Sequence, residues 1–393
     1  MVTRKGVLVI IVLAQFACVS LWFAGNGVMG DLIKEFNLPV GTVAHLTSAV
    51  QFGFILGTLL YAIFAFADKI SPSTVFFVSA LLASLSNLGL IMSYGDVTIL
   101  YGARFLTGFF LAGIYPVGMK IASDYFDQDL GKALGWLLGA LVLGTAFPHL
   151  LSSLMYSFQW EDVVIAISIL AIIGGMLIFF LVPDGPFRTF GARFNRAGLF
   201  SIFKDRNFRS AASGYFGHMW ELYSFWTFVP FIVIAYIAPL GEATGDVSLF
   251  NFEIIAIGAV GCIIGGYFSQ KMGSYRVAFV ALAFSALCCL LSPLIFTLNP
   301  AFIFLFLLFW GMVVIMDSPQ FSTLVAQTAP ATNKGSALTI VNCIGFSITI
   351  ISIQLLNFLY DHIMIQWLFI FLLPGPVLGL IALLQWRGPG KII

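Results

Sequence analysis

Residues 67–73 read ADKISPS, and residues 269–276 read SQKMGSYR. Each is a tight, basic turn between two long apolar runs, and Asp68 and Gln270 stand 202 positions apart. A second pair repeats the offset. DLGKALGWLLG at 129–139 is echoed by TNKGSALTIVN at 332–342, with Gly131 and Gly335 separated by 204. Two independent pairs at nearly one spacing indicate an internal duplication of a long unit.

Composition says where such a chain lives. Of its 393 residues, 60% are hydrophobic and 9% charged, against about a quarter charged in soluble domains. That much apolar surface cannot be buried in water, so the chain is read as an integral membrane protein. A net charge of +1 gives no footprint for nucleic acid. Cys18, Cys262, Cys288, Cys289 and Cys343 all fall in apolar runs, without metal-ligand or disulfide spacing, and read as packing residues. No metal or cofactor is expected. The start, MVTRKGVLVIIVLAQF, resembles a signal peptide, but its apolar run is too long and is read as a retained first helix.

A helix needs about 20 apolar residues to cross a bilayer. Twelve such spans are predicted, near 6–29, 43–66, 73–94, 97–120, 131–156, 162–182, 208–237, 248–270, 276–297, 300–328, 335–358 and 364–386. With both termini in the cytoplasm, all of the 18 Lys and Arg residues except Lys34 and Arg104 lie on the inner side. One missed helix would scatter that bias. The predicted organisation is a six-helix bundle at 1–182, a basic cytoplasmic linker at 183–207 and a second six-helix bundle at 208–393.

The turn FAFADKISPS resembles the loop between the second and third helices of the major facilitator superfamily, Gly-x-x-x-Asp-Arg/Lys-x-Gly-Arg-Arg/Lys. Asp68 and Lys69 match; Phe64, Ser71 and Pro72 depart from the pattern. The second copy, GYFSQKMGSYR, keeps Gly266, Lys271 and Gly273 but has Gln270 in the acid position. Arg104 and Gly108 in YGARFLTGFFLAGIYPVG resemble the family's fourth-helix Arg-x-x-x-Gly. The fifth helix, GWLLGALVLGTAFPHL, resembles the glycine-rich helix of antiporters but lacks its Gly-Pro pair.

This resemblance covers nearly the whole chain. It implies an all-α fold of twelve transmembrane helices in two pseudo-symmetric six-helix bundles. It also implies a gating role for Asp68, Lys69, Gln270 and Lys271, with Asp68 meeting the helix that opens near Asn333. The family's first, fourth, seventh and tenth helices line a central cavity.

The residues add their own observation. The mid-span ionisable groups fall on those helices: Arg104 on the fourth, His218 and Glu221 in GHMWELYSFWTF on the seventh, and Asp317 on the tenth. Glu221 lies twelve residues beyond Arg209, about 18 Å along a helix and near the bilayer midplane. Charge at that depth is costly and marks a water-filled path or a partner. His218 and Glu221, at i, i+3, share a helix face. Asp317 and Gln320 with Leu324 and Gln327 form a polar stripe, and Gln15, Trp22 and Asn26, at i, i+7 and i+11, form another. A carboxyl taken out of water favours its neutral form, and histidine titrates near neutrality. Glu221, Asp317 and His218 are therefore the candidate proton sites.

All eight of these residues (Gln15, Trp22, Asn26, Arg104, His218, Glu221, Asp317 and Gln320) are candidates for contacting a solute, with Arg104 the candidate anion contact. Plainer readings stay open: Glu221 bonded only to His218 or to a neighbouring helix, Asp317 repairing a helix broken at Pro319, Arg104 as a structural partner, and His149 bonded locally at Pro148. The expectation is a secondary active transporter of a small polar or anionic organic solute, working by alternating access with proton symport. It would act as a monomer in the lipid of a plasma membrane, the bacterial inner membrane in particular. The alternatives are a uniporter, a proton-driven efflux pump for amphipathic compounds, which 16% aromatic residues would suit, or a transporter-like sensor. An enzyme is not expected, because no His-Glu-x-x-His occurs and no Gly-x-Ser-x-Gly lies in a span; no phosphate-binding loop suggests an ATP-driven pump.

Overall fold

The computed structural model describes residues 4–126, 130–155, 157–188, 200–236, 244–330 and 334–387, and their regular structure is entirely helical. In chain order the α-helices are α1 (Arg4–Val19), α2 (Ala24–Gly27), α3 (Met29–Phe36), α4 (Thr42–Phe64), α5 (Phe66–Lys69), α6 (Pro72–Leu88), α7 (Val97–Leu111), α8 (Tyr115–Tyr125) and α9 (Leu130–Leu154). They continue with α10 (Trp160–Leu181), α11 (Arg206–Tyr236), α12 (Thr244–Met272), α13 (Ser274–Ile295), α14 (Pro300–Met316), α15 (Ser318–Thr328), α16 (Lys334–Tyr360) and α17 (Pro374–Leu383). Helix is the form that satisfies every backbone N–H and C=O within one segment, as a lipid environment demands. Among the described residues ten stretches are long and apolar enough to cross a membrane, and Gly6–Val19 and Pro72–Leu88 are shorter apolar helices.

Several predicted spans are interrupted. The first, expected as one helix over 6–29, breaks at residues 20–23 between α1 and α2. There the backbone tightens into turns, with Leu21 N donating to Cys18 O at 3.3 Å and Trp22 N to Val19 O at 2.8 Å. The i, i+7, i+11 spacing of Gln15, Trp22 and Asn26 therefore does not define one helical face, because the helical register is lost between the first residue and the other two. The fourth span breaks at residues 112–114, just before Pro116, and the tenth breaks at Asp317, just before Pro319. A proline early in a helix needs no N–H partner, but its ring cannot continue the turn before it. The last span starts as a 3-10 helix over Ile365–Leu372.

The chain divides into two compact units, Met1–Arg193 with Ala238–Ala256 and Phe194–Ile237 with Ile257–Ile393. In the first, α4 packs closely along α7, α6 lies against α7 and α10, and α1 lies against α9 and α10. The α4–α7 approach depends on glycine: a Cβ at Gly53 would collide with the Phe105 carbonyl, and one at Gly108 with the Val50 carbonyl. In the second unit α11 is central, packed on α15, α16 and α17, while α13 packs on α14.

Candidate functional site

The second unit holds a buried acid cluster. Glu221, on the unbroken α11, is 1% exposed. Its Oε1 accepts from Ser285 Oγ at 2.5 Å, from Trp310 Nε1 at 2.6 Å and from the Cys289 thiol at 3.4 Å. Its Oε2 is buried with no hydrogen-bond partner. The donors come from α13 and α14, so helix packing builds the acceptor's surroundings. Trp310 is itself fixed by rings, with centroids 4.8 Å from Phe225, 5.5 Å from Phe306 and 5.3 Å from Phe369. An indole so enclosed presents its N–H in one direction.

His218, one turn earlier on α11, has its Nδ1 2.8 Å from Asp317 Oδ1, and both side chains are buried. The contact is an ion-pair distance whose N–H···O alignment is imperfect, since neither Asp317 oxygen completes a hydrogen bond. His218 Nε2 is also buried and without a partner. Asp317 occupies the N-cap position of α15, yet its side chain caps nothing. Its backbone carbonyl instead accepts from Gln320 N and Phe321 N, each at 2.9 Å. The break before Pro319 is thus closed by the main chain, and the carboxyl is left for His218. Gln320 is buried beside this break, whereas Gln327 is exposed.

The first unit holds a buried cation. Arg104 is 1% exposed. Its Nη1 donates to Leu21 O and to Asn87 Oδ1, both at 3.1 Å, and its Nη2 donates to Trp22 O at 2.5 Å. Asn87 Nδ2 in turn donates to Ser168 Oγ at 3.0 Å. The guanidinium therefore holds the carbonyls freed where the first span breaks. A planar fork of donors suits that task better than an ammonium. No carboxylate lies within ion-pair distance of Arg104 among the described residues.

Around it, Trp22 packs on Phe54 with centroids 4.7 Å apart, and Asn26 Nδ2 donates to Thr47 Oγ1 at 3.0 Å. Gln15 is fully buried, and neither of its amide atoms has a partner. His149 Nε2 is likewise unpartnered, so the local bond expected beside Pro148 does not form at that nitrogen.

At the predicted gating turns, Asp68 pairs with Lys120 at 3.0 Å, and Lys120 also lies 3.7 Å from Asp124. Lys69 and Gln270 are exposed, and Lys271 lies over the Tyr267 ring at 4.6 Å. Asn333, expected to meet Asp68, lies outside the described residues.

Ser285, Cys289 and Asn87 were not singled out from the sequence as site residues. Ser285, Cys289 and Ser292 share one helical face of an otherwise apolar span, and that periodicity is the signal that could have found two of them.

Many apolar helices, three of them broken beside proline or a buried polar group, with ionisable side chains inside, define a polytopic membrane protein of the transporter type. The family model described as Major Facilitator Superfamily matches residues 11–353. The chain therefore belongs to the Major Facilitator Superfamily, whose fold has twelve membrane helices, and it is a secondary transporter for a small molecule. That is a transporter family and not an enzymatic one. No curated protein matches the chain.

Proposed function

We propose that the chain is a proton-coupled symporter of a small polar or anionic organic solute, with Glu221 and Asp317 as its proton sites. The observation that carries this reading is the pair of fully buried carboxyls on α11 and at the break between α14 and α15, each with partners that tolerate a change of protonation. A carboxylate held only for structure is normally matched by a cation and satisfied on both oxygens. Glu221 has no cation partner among the described residues, and one of its oxygens is bare.

In this reading the two six-helix halves are 1–182 and 208–393, with 183–207 as the link, and the solute crosses by alternating access. Both termini face the cytoplasm of a bacterial cell, and the protein works as a monomer. His218, Gln320, Gln15, Trp22 and Asn26 supply solute contacts, and Asp68, Lys69, Gln270 and Lys271 serve the gate. Arg104 meets an anionic solute only when its grip on Leu21 and Trp22 is released, because its Nη donors are engaged in the state described.

The test is uptake by proteoliposomes under an imposed proton gradient, screened over carboxylates, phosphates, sugars, amino acids and nucleosides. Accumulation that needs the gradient and is lost in Glu221→Gln supports symport. Equilibration that ignores the gradient refutes it and leaves uniport. Expulsion of amphipathic dyes would point to efflux.

A further inference from the structure

We propose that Glu221, His218 and Asp317 form a single proton relay, in which a water molecule bridges Glu221 Oε2 to His218 Nε2. The inference rests on the proton-coupled reading above and deepens it, turning two separate proton sites into one linked site. It starts from the lopsided bonding of Glu221. Three donors converge on Oε1, from Ser285, Trp310 and Cys289, while Oε2 has none. An ionised carboxylate spreads its charge over both oxygens, and a bare charged oxygen in the interior costs several kcal/mol. The arrangement fits a neutral acid instead: Oε1 is the carbonyl oxygen, and the proton sits on Oε2.

That leaves an O–H without an acceptor. Three residues earlier stands its complement. His218 Nδ1 lies 2.8 Å from Asp317 Oδ1, so in the neutral Nδ1–H tautomer the buried Nε2 carries a lone pair without a donor. The two orphaned atoms belong to residues at i, i+3 on one helix face, whose Cβ atoms lie about 5–6 Å apart. Their partners lie close along the tenth span as well, Trp310 within α14 and Asp317 at its C-cap. One buried water accepting from Glu221 and donating to His218 satisfies both, and an interior polar water needs two to four such contacts.

The transfer balances. Glu221 Oε2 gives its proton through the water to His218 Nε2. The imidazole releases its Nδ1 proton to Asp317 Oδ1. A neutral acid, a neutral imidazole and a carboxylate become a carboxylate, a neutral imidazole of the other tautomer and a neutral acid, with no net change of charge. Among the described residues, the other ionisable groups near the relay are the thiols of Cys288 and Cys289 at Glu221, the Cys262 thiol at Asp317 and the Tyr215 phenol, whose ring centroid is 6.0 Å from that of His218. Helices α14, α15, α17 and the 3-10 turn carry no ionisable side chain; α16 has Lys334, Cys343 and Tyr360. Ser285 and Trp310 are positioning residues, since they fix Oε1 as the acceptor and leave Oε2 for the bridging water.

The experiment is time-resolved infrared spectroscopy of the full chain in detergent after a pH jump. Glu221→Gln and Asp317→Asn assign the carbonyl bands of the two protonated carboxyls. In the unmodified protein an upward pH jump draws the proton out by way of Asp317, so loss of the Glu221 band and a transient gain of the Asp317 band should run with one rate. His218→Gln keeps polarity but cannot pass a proton, and it should slow the Asp317 change at least about tenfold. If that variant melts early, Asp317→Asn serves instead, and hydrogen–deuterium exchange at the Glu221 carboxyl should slow by a similar factor.

Unchanged Asp317 kinetics in His218→Gln, unchanged exchange in Asp317→Asn, or the absence of a Glu221 carbonyl band at every pH where the protein is folded would each overturn the relay. Linked bands with gradient-independent transport would refute the symport reading alone. Unlinked bands with gradient-driven transport would refute the relay alone.

Discussion

Replacing Arg104 by methionine removes the guanidinium while keeping a long, flexible, apolar side chain in its place. Three hydrogen bonds are then lost, to Leu21 O, Trp22 O and Asn87 Oδ1, while Leu21 O keeps a long bond from Ala24 N at 3.5 Å. Each buried hydrogen bond lost from the charged guanidinium costs about 1–3 kcal/mol. The Asn87 amide still bonds Ser168 and can re-orient, so the lower part of the summed range applies, about 3–5 kcal/mol. Arg104→Lys should fall between the two, because one ammonium can hold the two carbonyls but cannot span all three acceptors in a plane.

The assay is equilibrium unfolding of the purified protein in mixed detergent micelles, with Gly25→Ala as a companion. A Cβ at Gly25 comes within 3.3 Å of Arg104 Nε, so it disturbs the same clamp without removing charge. A loss below about 1 kcal/mol in Arg104→Met would refute the reasoning. It would mean that the broken first span satisfies its own carbonyls, and it would return Arg104 to the role of a free anion contact.

Other outcomes are expected from the same geometry. Trp310→Phe keeps the ring cage but removes one donor to Glu221 Oε1; it should cost about 1–3 kcal/mol and alter the pH profile of transport, whereas an unchanged profile would show that the indole N–H does not act on the acid. Glu221→Gln preserves an acceptor for Ser285 and Trp310; its melting temperature should stay near that of the parent while gradient-driven accumulation disappears, and early melting would indicate a structural carboxyl. Lys120→Ala breaks a partly exposed pair with Asp68 and should change stability by less than about 1 kcal/mol, which salt titration of the parent protein would confirm by its weak effect. Gly53→Leu drives a side chain into the Phe105 carbonyl and should destabilise by about 1–3 kcal/mol or more, measured by the same unfolding assay; tolerance of leucine there would contradict the close α4–α7 approach.

Composition alone placed this chain in a membrane, and the two turns at residues 67–73 and 269–276 set the spacing of its spans. Both follow from solvent chemistry: a run of Leu, Phe and Ile long enough to cross lipid has few alternatives to helix. The burial of Arg104, His218, Glu221 and Asp317 was legible for the same reason, since charge inside such a run is conspicuous. Partners were not legible. Sequence spacing puts His218 and Glu221 on one face, but only packing sends the first to Asp317, 99 positions away, and the second to Ser285, Cys289 and Trp310, 64 to 89 positions away.

The break in the first span was hidden because nothing local demands it. Residues 20–23 contain no proline or glycine, and the turn is tied down by an arginine 82 and 83 positions distant. Hydropathy therefore fixed what must be buried in lipid. The tertiary structure decided which buried polar atom satisfies which, because hydrogen bonds depend on ångström-scale placement that no single segment controls.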